Sequence, residues 1–326
     1  MAKYRNHLPQ LGSGFYLADG GLETTLIFRE GWELPDFAAF ILFETPQGEA
    51  ALRKYFRSYA EIAKRFGCGL VLESATWRAS ADWGAKLGYT PEALAAANQK
   101  TIHLLQEIRN EDETEQNPVV ISGCLGPRGD GYVIDHAMSA QEAQDYHRQQ
   151  IETFADTAAD MVCAATMNYA QEAIGIVRAA QGAELPTAVS FTVETDGRLP
   201  SGQTLRAAIE QVDQATSAYP CYYMINCAHP THFERVLAEG VLWLDRIHGL
   251  RANASRKSHA ELNESTELDS GNPVELGAPY AHLKKRLTYL NVMGGCCGTD
   301  HRHVEQIATA CSHLTALASP YLDRHG

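Results

Sequence analysis

Residues 290–298 read Leu-Asn-Val-Met-Gly-Gly-Cys-Cys-Gly, a short apolar run followed at once by glycines and a pair of cysteines. The run at 290–293 has the length and composition of a buried β-strand. The glycines after it allow a tight turn, so the side chains of the adjacent Cys296 and Cys297 need not point to opposite faces. We therefore interpret this stretch as a buried strand whose carboxyl end presents two thiols.

Seven similar runs precede this strand, and longer stretches with helical spacing of apolar residues lie between them. The runs are bounded by Gly, Pro or Asn and occupy residues 15–18, 69–72, 119–122, 161–164, 188–192, 222–225 and 247–252. Eight strands that alternate with helices in 326 residues predict an α/β protein, a (β/α)8 TIM barrel that forms a single domain over residues 1–326. An open doubly wound sheet is the alternative, but Asp-Gly-Gly-Leu-Glu at 19–23 lacks the glycine spacing of a dinucleotide-binding fingerprint.

Local signals mark where several helices begin. Thr90-Pro91 combines an N-cap residue with proline at the first helical position, and Ser139 with Glu142 fits a capping box. The polar segment 254–277 has little periodicity and follows the seventh strand. We predict a long loop there, of a kind that is often functional in compact domains.

Charge and composition limit the classes of partner. The chain carries a formal net charge of -13, with 40 acidic residues against 27 Lys and Arg, which argues against binding to nucleic acid or to anionic membranes. Residues 1–11 lack the apolar core of a signal peptide, and no run of about 18 apolar residues occurs. We expect a cytoplasmic protein that acts on small molecules, in which cysteines serve burial, metal binding or catalysis.

Three cysteines follow predicted strands and form the main candidate site. Cys227 comes after the sixth strand, and Cys296 and Cys297 come after the eighth. In a barrel the carboxyl ends of these strands face the same mouth, so the three thiols can converge. Thiolates suit Zn²⁺, and three protein ligands leave a fourth position open, as in catalytic zinc sites. We predict that these residues bind zinc and activate a substrate thiol.

Other readings of the cysteines and histidines remain open. The Cys296-Cys297 pair alone is also compatible with burial or a redox role. We interpret the remaining cysteines as small buried hydrophobic residues, namely Cys68, Cys124, Cys163, Cys221 and Cys311. Four histidines near the thiols are rival ligands but are expected to be surface residues: His229, His232, His301 and His303.

Further candidates for substrate binding also stand at predicted strand ends. Asp19 precedes Gly20 and Gly21, whose backbone N–H groups could bind a carboxylate, although Asp19 could instead cap the following turn. Glu73 could bind an ammonium group or make a structural hydrogen bond. Trp77 could contact a cationic methyl donor or belong to the core. Asn253 is a candidate only because of its position at the end of the seventh strand.

Several of these motifs together resemble the homocysteine S-methyltransferase family. They are Ala-Asp-Gly-Gly at 18–21, Glu-Ser-Ala-Thr-Trp-Arg-Ala-Ser at 73–80, Ser-Phe-Thr-Val at 190–193, Asn-Cys at 226–227 and Gly-Gly-Cys-Cys-Gly-Thr at 294–299. The resemblance extends over most of the chain and implies a (β/α)8 barrel. It also implies zinc on the three cysteines, homocysteine sulfur as the fourth ligand, and methionine as the product.

The resemblance also implies roles for other residues. Asp19 and the Gly20-Gly21 backbone would help to hold the amino-acid end of homocysteine. The chain has no room for folate or cobalamin modules and lacks the long tail of betaine-using members, so S-methylmethionine or another sulfonium is the expected donor. Ala165 stands where many members have an acid, and Glu23 where a glycine is common.

These departures motivate an alternative acceptor, either a different thiol or a selenol. An alternative from another class is a non-catalytic redox or metal-responsive barrel that uses Cys296 and Cys297.

Overall fold

The computed structural model describes residues 1–237, 242–314 and 317, and its centre is a closed barrel of eight parallel strands. Each strand pairs with its neighbour in sequence, and β1 pairs with β8 to close the barrel. The strands are β1 (Tyr16–Ala18), β2 (Gly69–Glu73), β3 (Val119–Leu125), β4 (Met161–Met167), β5 (Thr187–Phe191), β6 (Tyr222–Asn226), β7 (Ile247–Ala252) and β8 (Val292–Gly295). The predicted (β/α)8 barrel is confirmed, and the open sheet is wrong. The predicted domain limits, 1–326, include residues outside those described and stay a prediction.

Helices surround the barrel and connect its strands. Within the described residues they are α1 (Leu22–Phe28), α2 (Pro46–Phe66), α3 (Ala81–Lys86), α4 (Pro91–Asp112), α5 (Ala140–Ala155), α6 (Ala170–Gly182), α7 (Leu205–Thr216), α8 (Pro230–Phe233), α9 (His259–Asn263), α10 (Pro273–Arg286) and α11 (His301–Cys311). The Thr90 side chain accepts a hydrogen bond from the Ala93 N–H, and Ser139 forms the predicted capping box with Glu142. Both helix starts are confirmed.

Most of the buried apolar side chains belong to two layers. The larger layer lies between strands and helices and includes Leu17, Leu70 and Phe191. Alternate strand residues, among them Val71 and Tyr222, form a second cluster inside the barrel, which also includes residues from the N-terminal segment. The amino end of the barrel is therefore filled, and the carboxyl end is left for a site.

The structure differs from expectation in two connecting regions. The predicted loop at 254–277 contains the short helix α9 and the first turn of α10, which begins at Pro273 after the Asn272 cap. Strand β4 continues to Met167, and its register with β5 shifts between Ala164 and Met167. Such irregularities depend on the neighbouring strand and leave no periodic signal.

None of the helices in the described part of the chain combines the length and apolarity needed to cross a bilayer.

Candidate metal centre and substrate cavity

Three cysteine sulfurs meet at the carboxyl mouth of the barrel. Cys227 directly follows β6, whereas Cys296 and Cys297 directly follow β8. The three Sγ atoms all lie within 4.8 Å of one another. The sulfurs of Cys227 and Cys296 are in disulfide contact with Cα atoms 5.4 Å apart, and Cys297 is free. The structure thus brings together the residues that the sequence singles out, and Cys296 is paired with Cys227 rather than with its neighbour.

The donor set and its spacing fit a thiophilic metal such as zinc. Thiolates arranged tetrahedrally at about 2.3 Å from zinc have sulfur atoms about 3.8 Å apart. The Cys297 sulfur already lies within 4.8 Å of the other two, and reduction would let the sulfurs of Cys227 and Cys296 separate to this spacing. Burial raises the pKa of the Cys297 thiol to about 11. A bound cation would offset this effect by favouring the thiolate.

Cys227 is fixed in place through its backbone. Its φ is +53°, in the left-handed region. The Cys227 carbonyl accepts hydrogen bonds from Asn253 Nδ2 at 3.0 Å and from His259 Nε2 at 2.6 Å. Asn253, predicted only from its position, therefore adjoins the thiol cluster. His259 comes from α9 and has no distinguishing sequence signal.

Aromatic side chains cover the other side of the cluster. The Tyr132 ring packs against the His259 ring at an angle of 32°, with centroids 4.0 Å apart, and its hydroxyl lies 3.8 Å from Cys297 Sγ. Tyr132 lies in the connection between β3 and α5. Sequence reasoning missed it because its contacts come from distant parts of the chain.

Asn226 joins the ends of three strands beneath the cysteines. Its Oδ1 accepts hydrogen bonds from the Thr166 N–H at 3.1 Å and the Ser190 hydroxyl at 2.7 Å. Its Nδ2 donates to Thr166 Oγ1 at 2.8 Å and lies 4.0 Å from Cys296 Sγ. This network orders the backbone just before Cys227.

A largely buried arginine connects two of the predicted substrate-binding acids. Arg251 Nη2 contacts Asp19 Oδ1 at 2.5 Å, and Nη1 forms an ion pair with Glu73. The Arg251 Nε donates to the Gly295 carbonyl at 3.1 Å, and Tyr55 donates to Asp19 at 3.0 Å. Both carboxylates are therefore engaged by the protein itself.

The pKa values of Asp19 and Arg251 are both raised in this environment, but for different reasons. Burial raises the pKa of Asp19 to about 6 despite the adjacent guanidinium. Burial acts to lower the pKa of Arg251, but Asp19 and Glu73 outweigh it and raise that pKa. Sequence reasoning missed Arg251, although a charged residue inside the apolar run 247–252 was an available signal.

The two predicted binding glycines lie against the cysteine turn. A Cβ at Gly20 would be 2.6 Å from the Tyr59 hydroxyl, and one at Gly21 would be 2.5 Å from the Cys296 carbonyl oxygen. Only glycine fits at these positions without displacement. The Gly21 N–H donates to the Thr299 carbonyl at 3.1 Å, so it is not free to bind a carboxylate in this conformation.

The remaining sequence predictions have mixed outcomes. The five cysteines expected to be buried are buried. The surface prediction is correct for His301, correct in part for the half-buried His232, and wrong for His229 and His303. The His229 side chain caps α8, and burial lowers its pKa to about 4. His303 contacts Asp300 in a capping box at the start of α11.

A cavity of about 350 Å³ adjoins the cysteines, a size suited to a small molecule. Asp19, Gly20, Gly21 and Glu73 line it, and Trp77 contributes to its wall. An eight-stranded parallel barrel with a thiol cluster and a small-molecule cavity at its carboxyl mouth defines a class of barrel enzymes.

The chain belongs to the homocysteine S-methyltransferase family, whose sequence model matches residues 16–311. It is therefore a methyltransferase, and the non-catalytic alternative is wrong. The chain is 23% identical to homocysteine S-methyltransferase 3 of Zea mays over 322 residues, covering 90% of this chain and 89% of the relative. It is 21% identical to selenocysteine Se-methyltransferase of Brassica oleracea var. italica over 317 residues, covering 90% and 88%.

Solved structures agree with the fold. The metallated form of the homocysteine methyltransferase MmuM from Escherichia coli superposes with a TM-score of 0.71 at 18% identity, covering 91% of this chain and 96% of that structure. Its oxidized form gives a TM-score of 0.70 at 19% identity, covering 90% and 95%. At this identity the likeness concerns the barrel architecture.

Proposed function

We propose that this protein transfers a methyl group from a sulfonium donor, with S-methylmethionine as the best candidate, to the thiol of homocysteine, giving methionine. The observation that carries the proposal is the cluster of Cys227, Cys296 and Cys297 beside the cavity. Bound zinc would lower the pKa of the acceptor thiol, so that the thiolate is available at neutral pH. Since the cysteines act as thiolates, we place the activity in a reducing compartment such as the cytoplasm.

The chain's own residues position this reaction. Asn253 and His259 hold the Cys227 carbonyl, and Tyr132 packs over His259 beside Cys297. These contacts hold the thiol cluster in the wall of the cavity. A donor methyl directed at the acceptor sulfur from the open side would react in line, and this positioning is a large part of the expected rate increase.

Charge and aromatic surface favour a cationic donor. The side chains that line the cavity include two guanidinium groups, Arg78 and Arg251, and six carboxyl groups. The six are Asp19, Glu23, Glu73, Asp130, Glu267 and Asp269. Aromatic rings also contribute to its lining, from Phe28, Phe37, Trp77 and Tyr132. A sulfonium is attracted by both features, and a neutral or anionic methyl donor by neither.

Another thiol or a selenol is the alternative acceptor. Ala165 supplies no carboxylate at the end of β4, while Asp19 and Glu73 are both paired with Arg251. The ammonium group of homocysteine would therefore compete with an internal cation. Measuring kcat/KM for homocysteine, selenocysteine and simple alkyl thiols with one donor decides between these acceptors.

Metal content and zinc-edge spectroscopy of the reduced protein test the main proposal. We expect one zinc bound by three sulfurs, rising to four on addition of homocysteine. Cys297→Ala should lose metal and activity, whereas Cys68→Ala, a buried cysteine outside the cluster, should retain both. Protein without zinc, or a fully active Cys297→Ala variant, contradicts the proposal.

A further inference from the structure

Arg78 is a buried cation in the cavity wall with unused hydrogen-bond donors. It is only 5% exposed, and its guanidinium carbon lies 3.9 Å from the ring centroids of both Trp77 and Trp83. Nη1 donates to the Gly129 carbonyl at 2.8 Å. Nε is buried without a partner, and no hydrogen bond of Nη2 occurs within the described residues.

The other arginine of the cavity, Arg251, has partners for its guanidinium, whereas Arg78 has unpartnered donors. Arg251 has two carboxylates and two carbonyl oxygens as partners. No carboxylate in the described ranges lies within ion-pair distance of Arg78. Burial lowers the pKa of Arg78 to about 10, so it remains charged at neutral pH. A buried charge with unsatisfied donors is costly unless a ligand completes its hydrogen bonds.

Packing connects Arg78 to the thiol cluster. The Trp77 ring, on which the guanidinium stacks, lies against Gly131, where an added Cβ would be 3.3 Å from the indole. The next residue, Tyr132, has its hydroxyl 3.8 Å from Cys297 Sγ. Arg78 and the cysteines therefore belong to one continuous cavity wall, and Arg78 lines that cavity.

We propose that Arg78 is a specificity-determining residue that binds the carboxylate of an amino-acid substrate whose sulfur end reaches the cysteine cluster. This inference rests on the proposed methyl transfer. A planar guanidinium that lies over two indole rings and is anchored by the Gly129 carbonyl has a restricted orientation. Its Nε–Nη2 edge suits bidentate recognition of a carboxylate. Arg251 is already neutralised by two acids, so it is the poorer candidate for this role.

Both acceptor and donor can carry such a carboxylate, and matched substrates distinguish them. One arm compares homocysteine with homocysteine amide at a fixed donor. The other compares S-methylmethionine with its amide at a fixed acceptor. We expect the wild-type protein to prefer the carboxylate about 10- to 100-fold in kcat/KM in one arm, the range for a charge-assisted hydrogen bond.

The variants assign that preference to Arg78. Arg78→Gln should reduce the carboxylate preference to about twofold or less, and Arg78→Lys should restore part of it. Arg128→Gln is the matched control, because Arg128 lies in the same region, pairs with Asp82 and does not line this cavity. It should keep the full preference.

Several outcomes would overturn the assignment. These are a wild-type protein with no carboxylate preference in either arm, or an Arg78→Gln variant that lowers both members of each pair equally. If the wild-type protein transfers no methyl group at all, the proposed function fails instead. Calorimetric binding of methionine against methioninamide to wild-type and Arg78→Gln protein then measures the same preference without turnover.

Discussion

Arg251 holds together the charged part of the cavity wall. It extends from β7 and pairs with Asp19 after β1 and Glu73 at the end of β2. β1 and β2 are paired neighbours, whereas β8 lies between β7 and β1, so the two ion pairs join strands that are not all in direct contact. The side chain is 11% exposed, so its charge is poorly compensated by water. Its removal leaves two carboxylates near each other without a cation.

We predict that Arg251→Met destabilises the protein by about 3–5 kcal/mol at pH 7, because two buried charges lose their partner. In the variant, burial raises the pKa of Asp19 in the folded state above its unfolded value, and the guanidinium that acts to lower it is absent. The folded state then binds protons more readily, and the deficit should shrink as the pH falls from about 7 to 5. Urea denaturation at both pH values measures this effect.

Arg256→Met is the control for this variant. Arg256 is 69% exposed and lies 4.0 Å from an exposed carboxylate of Glu275, so its loss should change stability by less than about 0.5 kcal/mol. An Arg251→Met variant as stable as Arg256→Met at pH 7 would contradict the ion-pair account.

At the scale of residues, the sequence shows which side chains can take part in the chemistry, but it does not show which side chains contact one another. Cysteine and glycine residues beside predicted strand ends indicate a site at the barrel mouth, so Cys227 and Cys296 could be predicted as ligands. Arg251, Tyr132 and His259 acquire their roles from contacts between distant segments. One sequence without its fold carries no information about which acid an arginine faces.

At the scale of elements, local sequence signals predict that each strand exists but do not predict where it ends. All eight strands occur where apolar runs predict them, because burial on both faces of a barrel strand requires continuous apolar residues. The ends of β3 and β4 extend beyond the prediction, to Leu125 and Met167. Their final residues pair with neighbouring strands whose position the local sequence does not determine.

The capping box of α5 provides a test at this scale. Ser139→Ala removes the acceptor for the Glu142 N–H and should cost about 1 kcal/mol in the free energy of unfolding. Gln149→Ala replaces an exposed residue in the same helix and should change stability by less than about 0.5 kcal/mol. Equal denaturation midpoints for the two variants would show that the cap does not stabilise α5.

At the scale of the whole molecule, the closure of the barrel joins its first strand to its last. Strand β1 pairs with β8, and the Gly295 N–H donates to the Asp19 carbonyl at 2.8 Å. Asp300, just after this junction, contacts Arg29 at 3.0 Å, Arg302 at 2.7 Å and His303 at 3.1 Å. Its charge therefore links the first helix of the barrel to the last.

We predict that Asp300 makes the closed barrel sensitive to acid. Burial opposes its ionisation, but hydrogen bonds from His303 and Arg302 and the charge of Arg29 hold its pKa well below the usual range. A depressed folded-state pKa stabilises the protein above the unfolded pKa, and this stabilisation is lost as the pH falls. Asp300→Asn should therefore cost about 1–3 kcal/mol at pH 7 and progressively less below about pH 4.

Thermal denaturation from pH 7 to pH 3 measures this difference. Asp145→Asn is the control, because Asp145 is 57% exposed and pairs with Arg148 on the surface of α5. Its difference from the wild-type protein should stay small throughout. A constant deficit of Asp300→Asn across the pH range is the result that rules out the linkage.

The left-handed backbone of Cys227 has a consequence for how this barrel can change over time. A non-glycine residue with φ of +53° carries a conformational cost that glycine avoids. The substitution that best relaxes the chain at this position is thus also one that deletes a sulfur. Selection for stability alone would favour glycine at position 227 and give a stable barrel without the thiol. Selection for the activity of the thiol is therefore what retains cysteine there.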